Sequence, residues 1–150
     1  KRGFPNHDAH AEVLGDFVGS GRTRQAMPLI VPKEPYCDNP NCAYLHRMAV
    51  VVDLKGSGNR VEGEVYSVTA AGLHELDKLE GYHGPSSDKN VYLRKKINVL
   101  VDGRTLSAFV YTIADTAKHL EKLAEGSSET VSEYTLDMAK GELKPGYEDS

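Results

Sequence analysis

Residues 91–113 read VYLRKKINVLVDGRTLSAFVYTI, and the fold turns on this stretch. Val91 to Val101 and Thr105 to Ile113 are rich in β-branched and aromatic residues and flank Asp102-Gly103. That dipeptide tolerates positive φ at both central positions of a type I′ turn, so the spacing predicts two long strands paired as a hairpin. A similar unit precedes it. Tyr44 to Leu54 is β-branched, Gly56-Ser57-Gly58 supplies a turn, and Arg60 to Val68 alternates Val61, Gly63, Val65 and Ser67 against Arg60, Glu62, Glu64 and Tyr66. Between the two units a helix is expected over Ala70 to Glu80. Thr69 is its N-cap, Val68 and Leu73 stand at the positions of a hydrophobic staple, and Gly81 supplies the left-handed residue that ends helices.

Farther out the patterning weakens. Ala11, Val13, Leu14 and Phe17 come at helical spacings behind Asn6, so a short helix is expected from His7, ending near Gly15 to Gly19. Phe17 to Thr23 reads as extended, and Met27 to Val31 is an apolar run with Pro28 and Pro32 at its margins, as in a short or edge strand. Lys33 to Asn41 is a proline-rich loop, Tyr82 to Asn90 a polar one, and Thr116 to Ala124 a helix. The tail from Gly126 has only Val131, Leu136 and Met138 as scattered apolar anchors and is left open between docked and loose. Five or six strands with two or three helices, and no regular β-α-β alternation, make an α+β domain covering residues 1–150. Antiparallel hairpins dominate it, plausibly as a small barrel.

Composition narrows the function classes. Eighteen basic against 22 acidic residues leave a net charge of −4, which offers no electrostatic footprint for nucleic acid or an anionic membrane. The longest apolar run, Met48 to Val52, falls far short of the roughly 18 residues of a transmembrane helix. Cys37 and Cys42 cannot staple a chain of 150 residues, so a reducing cytoplasm is the default localisation. Cys37, Cys42 and His46 offer three of the four ligands a tetrahedral zinc site needs, at poor spacings, so no metal is assigned. A monomer is the default for such a domain.

On a helical wheel with Leu73 at zero, Leu76 falls at about 300°, Leu79 at about 240° and Glu80 at about 340°. Glu80 therefore shares the apolar face, whereas Glu75 lies outside it and Asp77 at its rim. The negative end of the helix dipole and partial burial both oppose ionisation there, which suits a general base. The competing reading is a carboxylate that reaches solvent at the helix end or pairs with Lys78 or a basic residue of the hairpin.

The ordered set Lys1-Arg2-Gly3, Pro5-Asn6-His7, Gly21-Arg22-Thr23, Pro28-Leu29, Gly56-Ser57-Gly58, Val61-Glu62-Gly63-Glu64-Val65-Tyr66, Leu76-Asp77-Lys78-Leu79-Glu80, Tyr92-Leu93-Arg94 and Phe109-Val110-Tyr111 resembles the γ-glutamylcyclotransferase-like (AIG2-like) family, its γ-glutamylamine branch above all. The resemblance implies a six-stranded β-barrel flanked by helices. It also implies an enzyme that converts a γ-glutamyl amine, such as ε-(γ-glutamyl)lysine, to 5-oxoproline and free amine without a cofactor. Glu80 inherits the catalytic acid/base role. Tyr92 and Tyr111 occupy matching positions where a phenol either contacts substrate or simply packs, and Lys1 stands where a cation attracts the substrate α-carboxylate. The family's first strand and its Tyr-Gly-Thr-Leu loop fall upstream of Lys1. Cyclisation of γ-glutamyl amino acids or another γ-glutamyl conjugate, or binding of a small ligand or a protein without turnover, are the alternatives.

Overall fold

The computed structural model describes residues 15–32, 44–45, 49–126, 128–134 and 142–143. In chain order the elements are β1 (Phe17–Met27), β2 (Leu29–Pro32), β3 (Tyr44–Leu45), β4 (Val50–Val51), β5 (Asn59–Tyr66), α1 (Ala70–Leu79), β6 (Tyr92–Val101), β7 (Arg104–Ile113), α2 (Thr116–Ala124), β8 (Ser128–Val131) and β9 (Glu142–Leu143). The hairpin forms as its sequence demands. Asp102 and Gly103 take φ of 49° and 77°, and the ladder runs from Tyr92 opposite Ile113 to Val101 opposite Arg104.

The architecture is α+β and the described strand pairs are antiparallel, apart from one isolated parallel bridge between Glu62 and Glu133. The expected six-stranded barrel is not what the described residues form. They make a four-stranded sheet in the order β5-β1-β6-β7, a three-stranded sheet β4-β2-β8 and a two-stranded pair β3-β9, with no closed barrel among them. Pro28 is the physical reason. It separates β1 from β2 and has no N–H to carry the ladder through, so the chain leaves one sheet and enters the next. The carbonyl of Pro28 is still used, accepting from the Val52 N–H at 2.9 Å. Gly58, at φ 76°, lies so close that a Cβ there would meet the Pro28 Cα at 2.8 Å.

Two further expectations are corrected. The helix expected up to the Gly15 to Gly19 region does not reach it, and its earlier residues lie outside those described. Gly15 and Asp16 instead bond to Ser67, and Phe17 opens β1. Among the described residues of Tyr44 to Leu54, which the sequence reads as one strand, only the two-residue pieces β3 and β4 are strand, and Val52 to Leu54 are not. Of the weakly patterned tail, whose placement the sequence left open, the stretch β8 pairs with β2 from Leu29 opposite Val131 to Pro32 opposite Ser128.

The core joins the two larger sheets. Ile30, Val50, Val52 and Ile113 are buried together, with Tyr92 of β6 and Leu123 of α2 packed against them. Each fully buried side chain of this size contributes roughly 1.5–3 kcal/mol. The open end of the hairpin, where β6 begins and β7 ends, is therefore held rigidly. Among the described residues no helix is long and apolar enough to cross a membrane.

Candidate active site

The sequence of α1 fixes where its last turn points. Thr69 accepts from the Gly72 N–H at 3.0 Å and starts the helix. Leu76 is its one buried residue and anchors the inward face. At the other end the Glu80 N–H bonds to the Leu76 carbonyl, Gly81 to Lys78 at 3.2 Å and Tyr82 to Asp77 at 2.8 Å. This is the pattern that satisfies the last carbonyls of a helix, and it needs the left-handed residue that Gly81 provides at φ 64°. Gly81 then accepts from the Val91 N–H at 3.0 Å. The end of α1 is thereby tied to the start of the hairpin, with Glu80 as its half-buried C-cap.

Asp77 faces the hairpin and has both carboxylate oxygens engaged. Its Oδ2 accepts from Arg94 Nη1 at 2.6 Å, and its Oδ1 from the Tyr111 hydroxyl at 2.6 Å. Arg94 and Tyr111 are directly opposite on β6 and β7, so one carboxylate clamps a cross-strand pair. The Arg94 guanidinium also lies 5.3 Å from the centroid of the Tyr82 ring and 4.9 Å from that of Phe109, within cation–π range of both. The side chains of Asp77 and Arg94 are only 14% and 26% exposed, so this ion pair is less screened than a surface one.

Burial first, then the hydrogen bond to Asp77 and the charges of Asp77 and Glu80, push the Tyr111 phenol well above the usual tyrosine range, partly offset by Arg94. Tyr111 is therefore a neutral phenol bonded to the Asp77 carboxylate. The loop after α1 is pinned beside the site by Asn90, whose Oδ1 accepts from the His83 N–H at 2.5 Å and whose Nδ2 donates to the Gly84 carbonyl at 2.7 Å.

The structure thus places Glu80 at the C-cap of α1, three residues after the Asp77 that holds Tyr111. Tyr92 sits two residues before Arg94 on the same side of β6 and packs against the core cluster. Lys1 lies outside the described residues, as do Cys37, Cys42 and His46. Sequence reasoning passed over Asp77, Arg94, Tyr82 and Phe109. Asp77 had a signal in its place at the rim of the apolar face, while Arg94 is recognisable only once the hairpin register sets it opposite Tyr111.

With this geometry in place the comparisons with known proteins are decisive for ancestry. The family described as gamma-glutamyl cyclotransferase, AIG2-like, matches residues 1–129. The chain belongs to that family. A gamma-glutamylaminecyclotransferase from Bos taurus is 32% identical over 121 residues, covering 76% of this chain and 61% of the relative. The corresponding protein of Mus musculus is 32% identical over 128 residues, covering 78% and 74%. A crystal structure of an AIG2-like protein from Mus musculus superimposes with a TM-score of 0.65 at 26% identity, covering 98% of this chain and 92% of that one. This AIG2-like chain therefore spans under two thirds of the length of its bovine relative, and shares the fold of the mouse protein over nearly its whole extent.

Proposed function

We propose that this AIG2-like chain is a γ-glutamylamine cyclotransferase, releasing 5-oxoproline and a free amine from a γ-glutamyl amine such as ε-(γ-glutamyl)lysine. The observation that carries the reading is the fixed C-cap of α1, which places Glu80 three residues after the Asp77 carboxylate that accepts from the Tyr111 phenol. The family match and the names of its relatives support the reaction class.

The chemistry needs little machinery. The substrate's α-amine attacks its own γ-carbonyl carbon, so holding the glutamyl unit folded supplies much of the acceleration. The α-amine attacks in its neutral form; Glu80 takes a proton from its nitrogen as the C–N bond of the five-membered ring forms, and returns it to the departing nitrogen as the old amide bond breaks. The Tyr111 proton is committed to Asp77, which favours the phenol oxygen as an acceptor for the α-amine rather than a donor to a substrate oxygen. Asp77 and Arg94 are positioning residues in this scheme, setting the Tyr111 oxygen. Tyr92 is proposed to line the same pocket, and Lys1 to attract the α-carboxylate.

The test is 5-oxoproline release by the full-length protein from ε-(γ-glutamyl)lysine and from γ-glutamyl-alanine, beside Glu80→Gln. Turnover of the first substrate, lost in the variant, is expected. Preference for γ-glutamyl-alanine would move the protein to the amino-acid-specific alternative, and no release from either by folded protein would leave the non-catalytic one.

A further inference from the structure

β1 pairs with β6 only from Gly21 opposite Val101 to Thr23 opposite Val99. Beyond Thr23 it separates from β6, and its register with β5 also shifts between Arg22 and Ala26. The irregularity is held in place by hydrogen bonds. The Thr23 hydroxyl donates to the Gln25 carbonyl at 2.7 Å and accepts from the Val61 N–H at 2.8 Å, while Arg60 Nε donates to the Thr23 carbonyl at 2.8 Å. Where the strands part, a cleft of about 620 Å³ opens. Asp77, Glu80 and Tyr111 are not among the residues that line it.

Among the described residues its walls carry one sign of charge. Arg24, Lys55 and Lys96 line it together with the neutral donors Gln25, Asn98 and Ser107, and no carboxylate is among the described lining residues. Among the described residues none of the three cations has an ion-pair partner, in contrast to Arg22 with Glu62, Lys95 with Asp53 and Arg94 with Asp77. Arg24 is oriented by a neutral group instead, its Nη1 donating to Thr105 Oγ1 at 3.1 Å. Lys96 leans over the Phe109 ring with its Nζ 5.8 Å from the centroid, which leaves its positive charge uncancelled. Three cations around one concave space with no carboxylate partner among the described residues, in a chain whose net charge is −4, concentrate positive potential against the sign of the whole molecule.

We propose that the cleft between β1 and β6 is a binding site for a small multivalent anion, held by Arg24, Lys55 and Lys96 and oriented by the amides of Gln25 and Asn98. A ligand bearing two or more phosphate or carboxylate groups fits this chemistry, because each cation meets one charge while the amides donate to the oxygens. The site stands apart from the cyclotransferase reading, and its test needs no turnover.

Isothermal titration of the full chain at low ionic strength, with inorganic pyrophosphate and with citrate as parallel probes, separates a phosphate-bearing ligand from a polycarboxylate. Tighter binding of either probe supports the site and names its source. Arg24→Gln/Lys96→Gln is expected to weaken the better probe at least about tenfold. Lys89→Gln/Lys118→Gln changes the net charge equally at exposed positions elsewhere and is expected to leave binding unaltered. Lys55→Gln, an exposed side chain on the turn whose Gly56 N–H bonds to the Ala26 carbonyl, leaves that backbone bond in place and gives an independent reading should the double variant unfold, with severalfold weaker binding expected. Amide resonances of Gln25, Lys55 and Asn98 are expected to shift on titration. No measurable binding of either probe, or equal weakening in the cleft and control variants, overturns the proposal.

Discussion

Two regions on the same hairpin use positive charge in opposite ways. At its open end Arg94 is partly buried, tied to Asp77 and stacked between Tyr82 and Phe109. Two residues further along β6, on the same side of the strand, Lys96 faces a cleft shared with Arg24 and Lys55 and has no carboxylate partner among the described residues. A cation whose charge is matched internally acts as a strut, because its energy depends on keeping one geometry. Cations left unmatched around a cavity have their strongest partner still to come. The difference separates a matched cation, which with Asp77 fixes the Tyr111 hydroxyl, from cations that leave a positive surface around a cleft.

The comparison is broken most sharply by Glu80→Gln, which keeps the shape of the helix cap but cannot accept a proton. Turnover is expected to fall at least about a hundredfold with the thermal midpoint unchanged, checked by 5-oxoproline release and calorimetry. The cleft variant Arg24→Gln/Lys96→Gln is expected to do the converse, losing anion binding while neutral γ-glutamyl substrates turn over as before. Asp77→Asn tests the strut itself. It removes the charge that holds Arg94 and Tyr111, and a loss of about 1–3 kcal/mol in urea unfolding is expected, because a partly buried cation loses its partner. Combined with Arg94→Met the loss should be less than the sum of the two, since both changes break one contact.

Gly81→Ala forces a β-carbon into the left-handed region and to within 3.1 Å of the Val91 side chain, so about 1–2 kcal/mol is expected to be lost together with part of the activity. Thr69→Ala, at the far end of the same helix, should cost about 1 kcal/mol and leave turnover intact. The smallest effect is electrostatic. Because the native phenol of Tyr111 is pushed above its unfolded value near 10, its contribution to stability is complete below about pH 10 and fades as the pH rises above that. Ultraviolet titration should show one tyrosine ionising later than the others, and Tyr111→Phe should remove that late step. A Tyr111 that titrates with the rest would dissolve the picture of a phenol clamped on Asp77.

The parts legible in advance share a property. The hairpin was readable because Asp102-Gly103 accepts positive φ, and α1 because Thr69 and Gly81 bracket it; the observed helix ends at Leu79 with Glu80 as its cap, one residue from the expected end. β8 was not, since Ser-Glu-Thr-Val has one apolar residue and draws its strand geometry from pairing with β2. The division into sheets at Pro28 was hidden for a related reason, because the proline is compatible with a strand edge in any of several sheets.

By itself, then, the amino-acid sequence determined the local backbone: where the chain reverses, where α1 stops and hence which carboxylate caps it. These depend on φ preferences and caps within a few residues. Only the tertiary structure decided that Asp77 meets Arg94, 17 residues away, and Tyr111, 34 away, and that Arg24, Lys55 and Lys96 surround one cleft. Such meetings are set by the register of the hairpin and by the parting of β1 from β6, which arise from the packing of distant segments and leave no period or motif along the chain.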